Sequence, residues 1–387
     1  MDLPAFGVEE WLNKWETKAK YDISQSSIKS LTLEELIGLD GTKVADFFAR
    51  YANTSLDYGA IEGSAEFKQL VAGLYQHVEA DNILQMNGAT GGNFLALYAL
   101  VNPGDQVISM LPSYQQLYDI PKSLGAEVKF VRLKEEANWD YDLDQLAKLV
   151  TPQTKLITLN SANNPTGTWL KADQVRRLAK IAASVDAYVL VDEVYEPLEA
   201  RENFLSIVDA YDKGIAVSSL SKTYSLPGLR IGWTASNKEV ADLFRKYRDY
   251  TTICGGVLND ALAVHALKNK DKILARNQKI VTENMQLVKD WVASEPKVAL
   301  VEPESVSTAF IKLELKEDDY RFFTRLVKET GVLLVPGAAF GFPGHARLGY
   351  CCQKEVLQAG LRRLSTFLHQ QWGSEREWKQ DFTSIVS

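Results

Sequence analysis

The sequence predicts an α/β fold in which helices cover both faces of a mostly parallel sheet. Short apolar segments alternate with segments of helical periodicity through residues 83–235, and this alternation is typical of such a sheet. The 387 residues, 46% hydrophobic and 24% charged, suffice for one large or two medium-sized domains. We therefore predict a large domain over residues 44–260 and a smaller α+β domain formed by residues 1–43 and 261–387.

The predicted elements follow one another at short intervals. Near the N-terminus, Trp11 and Trp15 lie four residues apart and are expected to share one helix face that packs against the rest of the protein. A strand begins at Ile83 and leads through a small-residue turn at 87–93 into a helix. Further strands are expected at residues 107–110, 128–131, 155–160, 188–191 and 215–219. Helices are expected at 65–77, 143–149, 173–185, 319–331 and 354–370, with residues 236–290 mostly helical.

Polar residues follow the ends of the predicted strands. The carboxyl ends of parallel strands meet at one edge of a sheet, and ligands bind there in open α/β folds. We therefore expect these residues to converge on one crevice. They are Ala89, Thr90, Tyr114, Asn164, Asp192, Tyr195 and Lys222.

Residues 218–233 hold one lysine, Lys222, among small and hydroxylic residues, with Arg230 eight positions later. An exposed loop would carry more charge, and a core strand would not carry a lysine. A lysine amine whose pKa is lowered by burial or by a nearby charge can form a Schiff base with a carbonyl compound. Ser219, Arg230 and the amides of the turn at 88–90 can hold a phosphate, because that turn begins a helix.

Asp192 ends an apolar strand, where a buried carboxylate is costly without a cationic partner. A protonated pyridine nitrogen is such a partner. Asn164 and Tyr195 can hydrogen-bond a ring hydroxyl, and Tyr114 can stack on a ring face. Together with Lys222, these residues describe a pocket for pyridoxal 5′-phosphate, a cofactor that acts as an electron sink.

Composition argues against several other classes of protein. The formal net charge is −7 and no cluster of Lys and Arg occurs, which disfavours nucleic-acid binding. The three cysteines form no CxxC motif and the four histidines are scattered, so we expect no metal site and a reducing, cytoplasmic location. No run of about eighteen apolar residues occurs, so no membrane span is expected.

Several motifs occur in a fixed order between residues 58 and 347. The most specific are Asn-Pro-Thr-Gly at 164–167, Asp-Glu-Val-Tyr at 192–195, and Ser-Leu-Ser-Lys at 219–222 followed by Gly-Leu-Arg-Ile-Gly at 228–232. In this order and spacing the sequence resembles the fold-type I pyridoxal-phosphate enzymes, class I/II aminotransferases. The resemblance implies a seven-stranded large domain like that of aspartate aminotransferase.

The resemblance also implies a role for each site residue. Lys222 would form the Schiff base and then move a proton, while Asp192 would keep the pyridine nitrogen protonated. Asn164 and Tyr195 would bond the phenolic oxygen, and Tyr114 would stack on the ring. The phosphate would be bound by Gly88, Ala89, Thr90, Ser219 and Arg230.

The implied reaction moves an amino group between an L-amino acid and a 2-oxo acid. Arg347 would hold the α-carboxylate of the substrate, with Asn164 also in contact with it. Tyr58 would reach the phosphate in the neighbouring subunit, which implies a homodimer with shared active sites.

Three segments depart from the common pattern of this family: residues 24–29, 91–93 and 251–256. They are expected to line the pocket for the substrate side chain, so the substrate stays open. The overall pattern is closer to divergent members, including capreomycidine synthase-like proteins, and such relatives can catalyse elimination, replacement or cyclisation. A pyridoxal-phosphate-dependent lyase or cyclase is therefore the alternative. A cofactor-binding regulator is a third hypothesis, against which the intact Lys222 argues.

Overall fold

The computed structural model describes residues 2–199 and 201–372 of the chain, so the tail at 373–387 lies outside the described residues. Its strands form a large sheet and two smaller ones. The strands are β1 (Tyr21–Asp22), β2 (Ile83–Met86), β3 (Gln106–Leu111), β4 (Glu127–Arg132), β5 (Thr154–Asn160), β6 (Tyr188–Asp192), β7 (Gly214–Ser219), β8 (Gly232–Ala235), β9 (Val298–Leu300), β10 (Ala309–Leu313), β11 (Val332–Leu333), β12 (Val335–Pro336) and β13 (His345–Leu348).

The helices begin where side chains can bond the free backbone amides of the first turn. Ser64 and Asp142 each accept a hydrogen bond from the amide three residues on, as N-cap residues do. The helices are α1 (Gly7–Trp15), α2 (Leu33–Ile37), α3 (Val44–Ala49), α4 (Ala65–Ala72), α5 (Gly88–Leu100), α6 (Gln116–Ser123), α7 (Leu143–Leu149), α8 (Ala172–Ala183), α9 (Lys238–Arg248), α10 (Val257–Lys268), α11 (Lys270–Ser294), α12 (Asp319–Thr330) and α13 (Lys354–Trp372).

The large sheet has seven strands in the order β2-β8-β7-β6-β5-β3-β4. Strands β3 to β7 pair in parallel, and β8 runs antiparallel to both of its neighbours. The predicted fold class is therefore confirmed. The sequence reasoning missed β8 and α6, because β8 follows the Lys222 loop directly and α6 contains a proline.

Helices cover both faces of the large sheet. Val189 and Val191 of β6 belong to the same core cluster as Leu178 of α8. Leu190, between them, packs into a second cluster together with Leu95 of α5. Because successive side chains of a strand point to opposite faces, the sheet is buried on both sides, and its carboxyl edge is left for polar residues.

The second sheet is antiparallel, in the order β12-β13-β10-β9. The N-terminal segment joins the C-terminal part of the chain, since β1 pairs in parallel with β11. This pairing agrees with a smaller unit built from both chain ends, while the domain boundaries after residues 43 and 260 stay a prediction. Within the described ranges, no helix is long and apolar enough to span a membrane.

Helix α1 packs against the rest of the protein through one face. Val8, Trp11 and Trp15 are buried, and Trp11 Nε1 donates a 2.8 Å hydrogen bond to Leu334 O. The spacing of these three residues, i, i+3 and i+7, places them on one side of the helix. The rotation of α1 about its axis is thereby set, which decides which side chains face the carboxyl edge of the large sheet.

Candidate active site

A cavity of about 650 Å³ opens at the carboxyl ends of β5, β6 and β7. Loops after these strands supply its floor, β13 supplies one wall, and α1 with the segment after β1 supplies its rim. Most of the residues predicted for the site line this cavity. They are Ala89, Thr90, Tyr114, Asn164, Asp192, Tyr195, Ser219, Lys222, Arg230 and Arg347.

Lys222 follows β7 and extends its amine into the cavity. Nζ donates hydrogen bonds to Ser26 Oγ at 2.8 Å and to Ser27 Oγ at 3.4 Å. Burial, with the positive charges of Arg347 and Arg230, lowers the pKa of the amine to about 8. About a tenth of Lys222 is therefore neutral at pH 7, far more than for an ordinary lysine, and the neutral amine is the form that acts as a nucleophile or base.

Asp192 ends β6 and is 3% exposed. Asn93 Nδ2 donates to its Oδ2 at 2.7 Å, and the Val194 amide donates to its Oδ1 at 3.1 Å. Burial raises the pKa of this carboxyl to about 6, although these bonds and the charge of Lys222 oppose the rise. Both hydrogen-bonding partners are neutral, so the buried acid has room for a cationic partner, and a protonated ring nitrogen would be chemically suited to that place.

The turn from β2 into α5 forms an anion site together with Arg230. Gly88 has a φ of +73°, and a Cβ at this position would lie 2.6 Å from Arg230 Nη2. Only glycine therefore lets the guanidinium approach the first amides of α5. Ser219 lies near this turn, since it pairs with Gly232 of β8, which packs against the Gly88 backbone. Its Oγ accepts from the Ser221 amide at 3.1 Å. A helix N-terminus beside a guanidinium is suited to a phosphate group.

Arg347 lies on β13, 2% exposed. Its Nη2 donates to Ser24 O at 2.9 Å, and its Nη1 donates to Asn164 Oδ1 at 3.3 Å. Asn164 is held in turn by the Asn160 side chain, which accepts from the Asn164 amide at 2.8 Å. Among the described residues, no carboxylate pairs with Arg347 within ion-pair distance. A buried guanidinium whose hydrogen-bonding partners are neutral is chemically suited to bind a carboxylate.

Two tyrosines complete the pocket. Burial raises the pKa of the Tyr114 hydroxyl to about 12 and raises that of Tyr195 further. Both rings therefore stay neutral hydrogen-bonding groups. Lys222 Nζ lies 5.9 Å from the centroid of the Tyr195 ring. The donor set as a whole fits pyridoxal 5′-phosphate: an amine for its aldehyde, an acid for its ring nitrogen, and an anion site for its phosphate.

Two of the three segments expected to line the pocket for the substrate side chain lie elsewhere in the structure. Residues 254–256 line a separate groove together with Tyr58, away from the Lys222 cavity. Tyr58 is 71% exposed, and its contact with the neighbouring subunit stays a prediction. Residues 91–93 are part of α5, and Asn93 bonds Asp192 instead of lining a side-chain pocket. Of the three divergent segments, residues 24–29 alone supply residues to this cavity, namely Gln25, Ser26 and Ser27.

The sequence reasoning missed the contribution of α1. Glu9 and Leu12 of α1, with Glu16 directly after its last residue, line the rim of the cavity. They repeat the i, i+3, i+7 spacing of the buried face one position later. That spacing was a usable signal, because a helix with one buried stripe presents the neighbouring stripe to whatever lies beside it. Asn93 and Asn160 were also missed, since neither lies in a motif by itself.

Known proteins share this arrangement of sequence and fold. The family model for aminotransferases of class I and II matches residues 41–364. The chain is 31% identical to an aspartate aminotransferase from Thermotoga maritima, over 76% of this chain and 77% of that protein. It is 29% identical to a capreomycidine synthase from Streptomyces vinaceus, over 94% and 93% of the two chains. A crystal structure of a PLP-dependent aminotransferase from Streptococcus suis matches with a TM-score of 0.94 and 51% identity, covering 97% of this chain and 100% of that one.

Proposed function

The chain belongs to the class I and II aminotransferases, and we propose that Lys222 is its central catalytic residue. Enzymes of this family use pyridoxal phosphate to move an amino group between an amino acid and a 2-oxo acid. One observation carries this proposal. The Lys222 amine projects into the same cavity as the buried Asp192 and the buried Arg347, and its pKa is lowered to about 8.

Lys222 would act as the base. When bound, pyridoxal 5′-phosphate supplies an electron sink for the electron pair left on the substrate α-carbon when its proton is removed. Lys222 Nζ would take that proton from the α-carbon and return it on the cofactor side. Water would then release the substrate skeleton as a 2-oxo acid, so that the amino group stays with the cofactor. A second substrate, a 2-oxo acid, then receives the amino group by the reverse sequence. Ser26 and Ser27, which accept hydrogen bonds from Nζ, orient the amine between these two transfers.

The other residues would position the two reactants. Asp192 pairs with the protonated ring nitrogen and thereby maintains the electron-withdrawing power of the ring. Arg347 binds the substrate α-carboxylate by a charge-assisted pair of hydrogen bonds. Asn164 and Tyr195 bond the ring oxygen, and Tyr114 packs on the ring face. Gly88, Ala89, Thr90, Ser219 and Arg230 hold the phosphate.

We further propose a homodimer in the cytoplasm. Leu56, Tyr58, Tyr250 and Ile253 are exposed large hydrophobic residues, with 82%, 71%, 85% and 50% of their surfaces accessible. Such a group of side chains is typical of a protein–protein interface. Tyr58 would reach the phosphate in the partner's active site from this surface. The three free thiols fit a reducing compartment.

A half-reaction tests the proposed function. The holoenzyme is mixed with a panel of L-amino acids and no 2-oxo acid, and the products are quantified. Transamination yields at most one 2-oxo acid per active site, with the amino group retained on the cofactor and no free ammonia. Continuous release of ammonia would instead support a lyase, and a cyclic amino acid a cyclase, as the 29% identity to a capreomycidine synthase makes worth testing.

A further inference from the structure

The rim of the cavity is acidic on the side formed by α1. Glu9 and Glu16 line the cavity with Leu12 between them, at the spacing i, i+3, i+7 that keeps all three on one helix face. The sequence reasoning assigned no function to these carboxylates, and the transfer chemistry above does not use them. Both are exposed and line the same cavity as Lys222 and Arg347, so the side chain of an amino acid bound in that cavity can meet them.

The carboxylates are held in place from both ends of α1. Trp11 is anchored to Leu334. At the N-terminal end, the Gly7 amide donates to Gln115 Oε1 at 2.9 Å, and Gln115 Nε2 donates to Ala5 O at 2.8 Å. Gln25 Nε2 donates a hydrogen bond to Glu16 Oε1. The helix therefore presents Glu9 and Glu16 from a fixed backbone, and a ligand does not have to order it.

The cavity is lined by carboxylates at its rim and by cations at its floor and wall. Glu9 interacts electrostatically with Lys222, Arg347 and Tyr114, so its charge is felt inside the cavity. The cations that line the cavity are Lys222, Arg230 and Arg347. Each already has a task at the cofactor or at the α-carboxylate. Among the described lining residues, no further cation is present to bind an acidic side chain. The charge that the rim presents to a substrate side chain is therefore negative.

We propose that the preferred amino donor is an L-amino acid whose side chain ends in a cation, an ammonium or a guanidinium group, with its α-carboxylate on Arg347 and its cationic end at Glu9 and Glu16. This inference rests on the proposed function, because it assumes that Arg347 binds the α-carboxylate. A buried cation without an acidic partner at one end, and two carboxylates at the other, match the charges of such a molecule. The side-chain carboxylate of a dicarboxylic donor would lie near Glu9 and be repelled by it, so the rim also disfavours acidic donors.

Isosteric pairs of donors test the inference on the wild-type holoenzyme. L-Arginine is compared with L-citrulline, and L-lysine with L-2-aminoheptanoic acid, so that side-chain length is nearly constant within a pair and charge changes. L-Glutamate is the acidic member of the panel. We expect kcat/KM in the half-reaction to be about tenfold higher for the cationic member of at least one pair, since opposite charges near a protein surface attract each other. The two pairs distinguish a guanidinium from an ammonium ligand.

Two matched variants test whether the preference comes from the rim. Glu9→Gln is expected to lower the ratio of cationic to neutral kcat/KM by about tenfold. Glu10→Gln makes the same change one residue away on α1, where the carboxylate acts on Tyr320 and does not line the cavity, and is expected to leave the ratio unchanged. Glu16→Gln is expected to lower the ratio less than Glu9→Gln, because Glu16 already has Gln25 as a partner.

The outcomes separate this inference from the proposed function. Equal kcat/KM values within both pairs, or equal effects of Glu9→Gln and Glu10→Gln, would overturn the inference while transamination stands. If no donor yields a 2-oxo acid, the proposed function fails, and the calorimetric Kd of the holoenzyme for L-arginine and L-citrulline decides the inference separately. Tighter binding of L-arginine that is lost in Glu9→Gln supports the rim as a cation site, and equal Kd values overturn it.

Discussion

The floor and the rim of the cavity differ in how their residues are held. On the floor, Asp192 is 3% exposed and accepts two hydrogen bonds, and the wall residue Arg347 is equally buried and bonded. On the rim, Glu9 and Glu16 lie on an exposed helix face. Buried polar groups leave their partners unsatisfied when they are changed, and exposed ones do not. Substitutions on the floor are therefore expected to disrupt the site, while substitutions on the rim can change substrate preference without disrupting it.

The largest effect is expected from Lys222→Ala. The variant loses the only amine that we place at the reacting atoms, so turnover should fall below detection. Cofactor binding should weaken but remain measurable, because the anion site and Asp192 are intact. Absorbance and equilibrium dialysis report binding, and the half-reaction reports turnover. Lys238→Ala, on the exposed face of α9 with 78% of its side chain accessible, is the control. Normal turnover in Lys222→Ala would refute the division between floor and rim.

Asp192→Ala is expected to lower kcat by about three orders of magnitude, since a preorganised charge at the reacting group contributes that much. The neighbouring acid Glu193 provides the control. It is buried as well, but it accepts hydrogen bonds from Ser206 Oγ and from the Ile207 amide, away from the cavity. Glu193→Gln should therefore change kcat less than tenfold. Equal losses in the two variants would mean that burial of an acid, and not its position at the cofactor, sets the rate.

The burial of Asp192 is also expected to lower the free energy of unfolding of the apoenzyme at neutral pH. Its folded-state pKa, raised by burial from 3.8 to about 6, means that the folded state binds more protons than the unfolded state between these values. Stability from this group is thus present below pH 3.8 and is lost as pH rises through 6. Asp192→Asn removes the ionisation. Its free energy of unfolding relative to wild type should rise by about 2 kcal/mol between about pH 4 and about pH 7.

Urea unfolding of both apoproteins at the two pH values measures this difference. A constant difference across the range would mean that Asp192 is not desolvated in solution. The expected pairing of effects, a more stable apoprotein with little activity, is typical of a residue kept for function at the expense of stability. Glu9→Gln is not expected to change the pH dependence of stability in this way, because Glu9 is exposed to water in the folded protein.

The same contrast explains what the sequence could predict. Parallel strands ending in polar residues indicated the fold and the floor, since Lys222, Asp192 and Asn164 each follow a buried strand and meet by topology alone. The predicted family, fold class and cofactor are confirmed, and the individual residue roles stay predictions. The rim was not predictable in this way, because α1 precedes β2 by some seventy residues along the chain. Its position depends on packing against Leu334, which no local pattern encodes.

Trp11→Phe is expected to have the smallest effect, and an effect confined to the rim. The substitution removes the Nε1 hydrogen bond to Leu334 O, worth about 1 kcal/mol, and loosens α1 without touching the floor. KM for the amino donor should rise by about fivefold while kcat stays within about twofold. Steady-state kinetics with saturating 2-oxo acid separates the two constants.

Trp15→Phe is the matched control for this last prediction. Trp15 lies one turn further along the same buried face of α1, and its Nε1 has no hydrogen-bond partner among the described residues. Replacing it removes a buried, unsatisfied donor and should leave both constants unchanged. If Trp11→Phe lowered kcat and left KM alone, α1 would be coupled to the chemical step and the separation of floor from rim would fail. A KM effect in Trp11→Phe alone would place the helix in substrate selection, because both variants shorten a buried ring of α1 and only Trp11 donates a hydrogen bond, to Leu334 O.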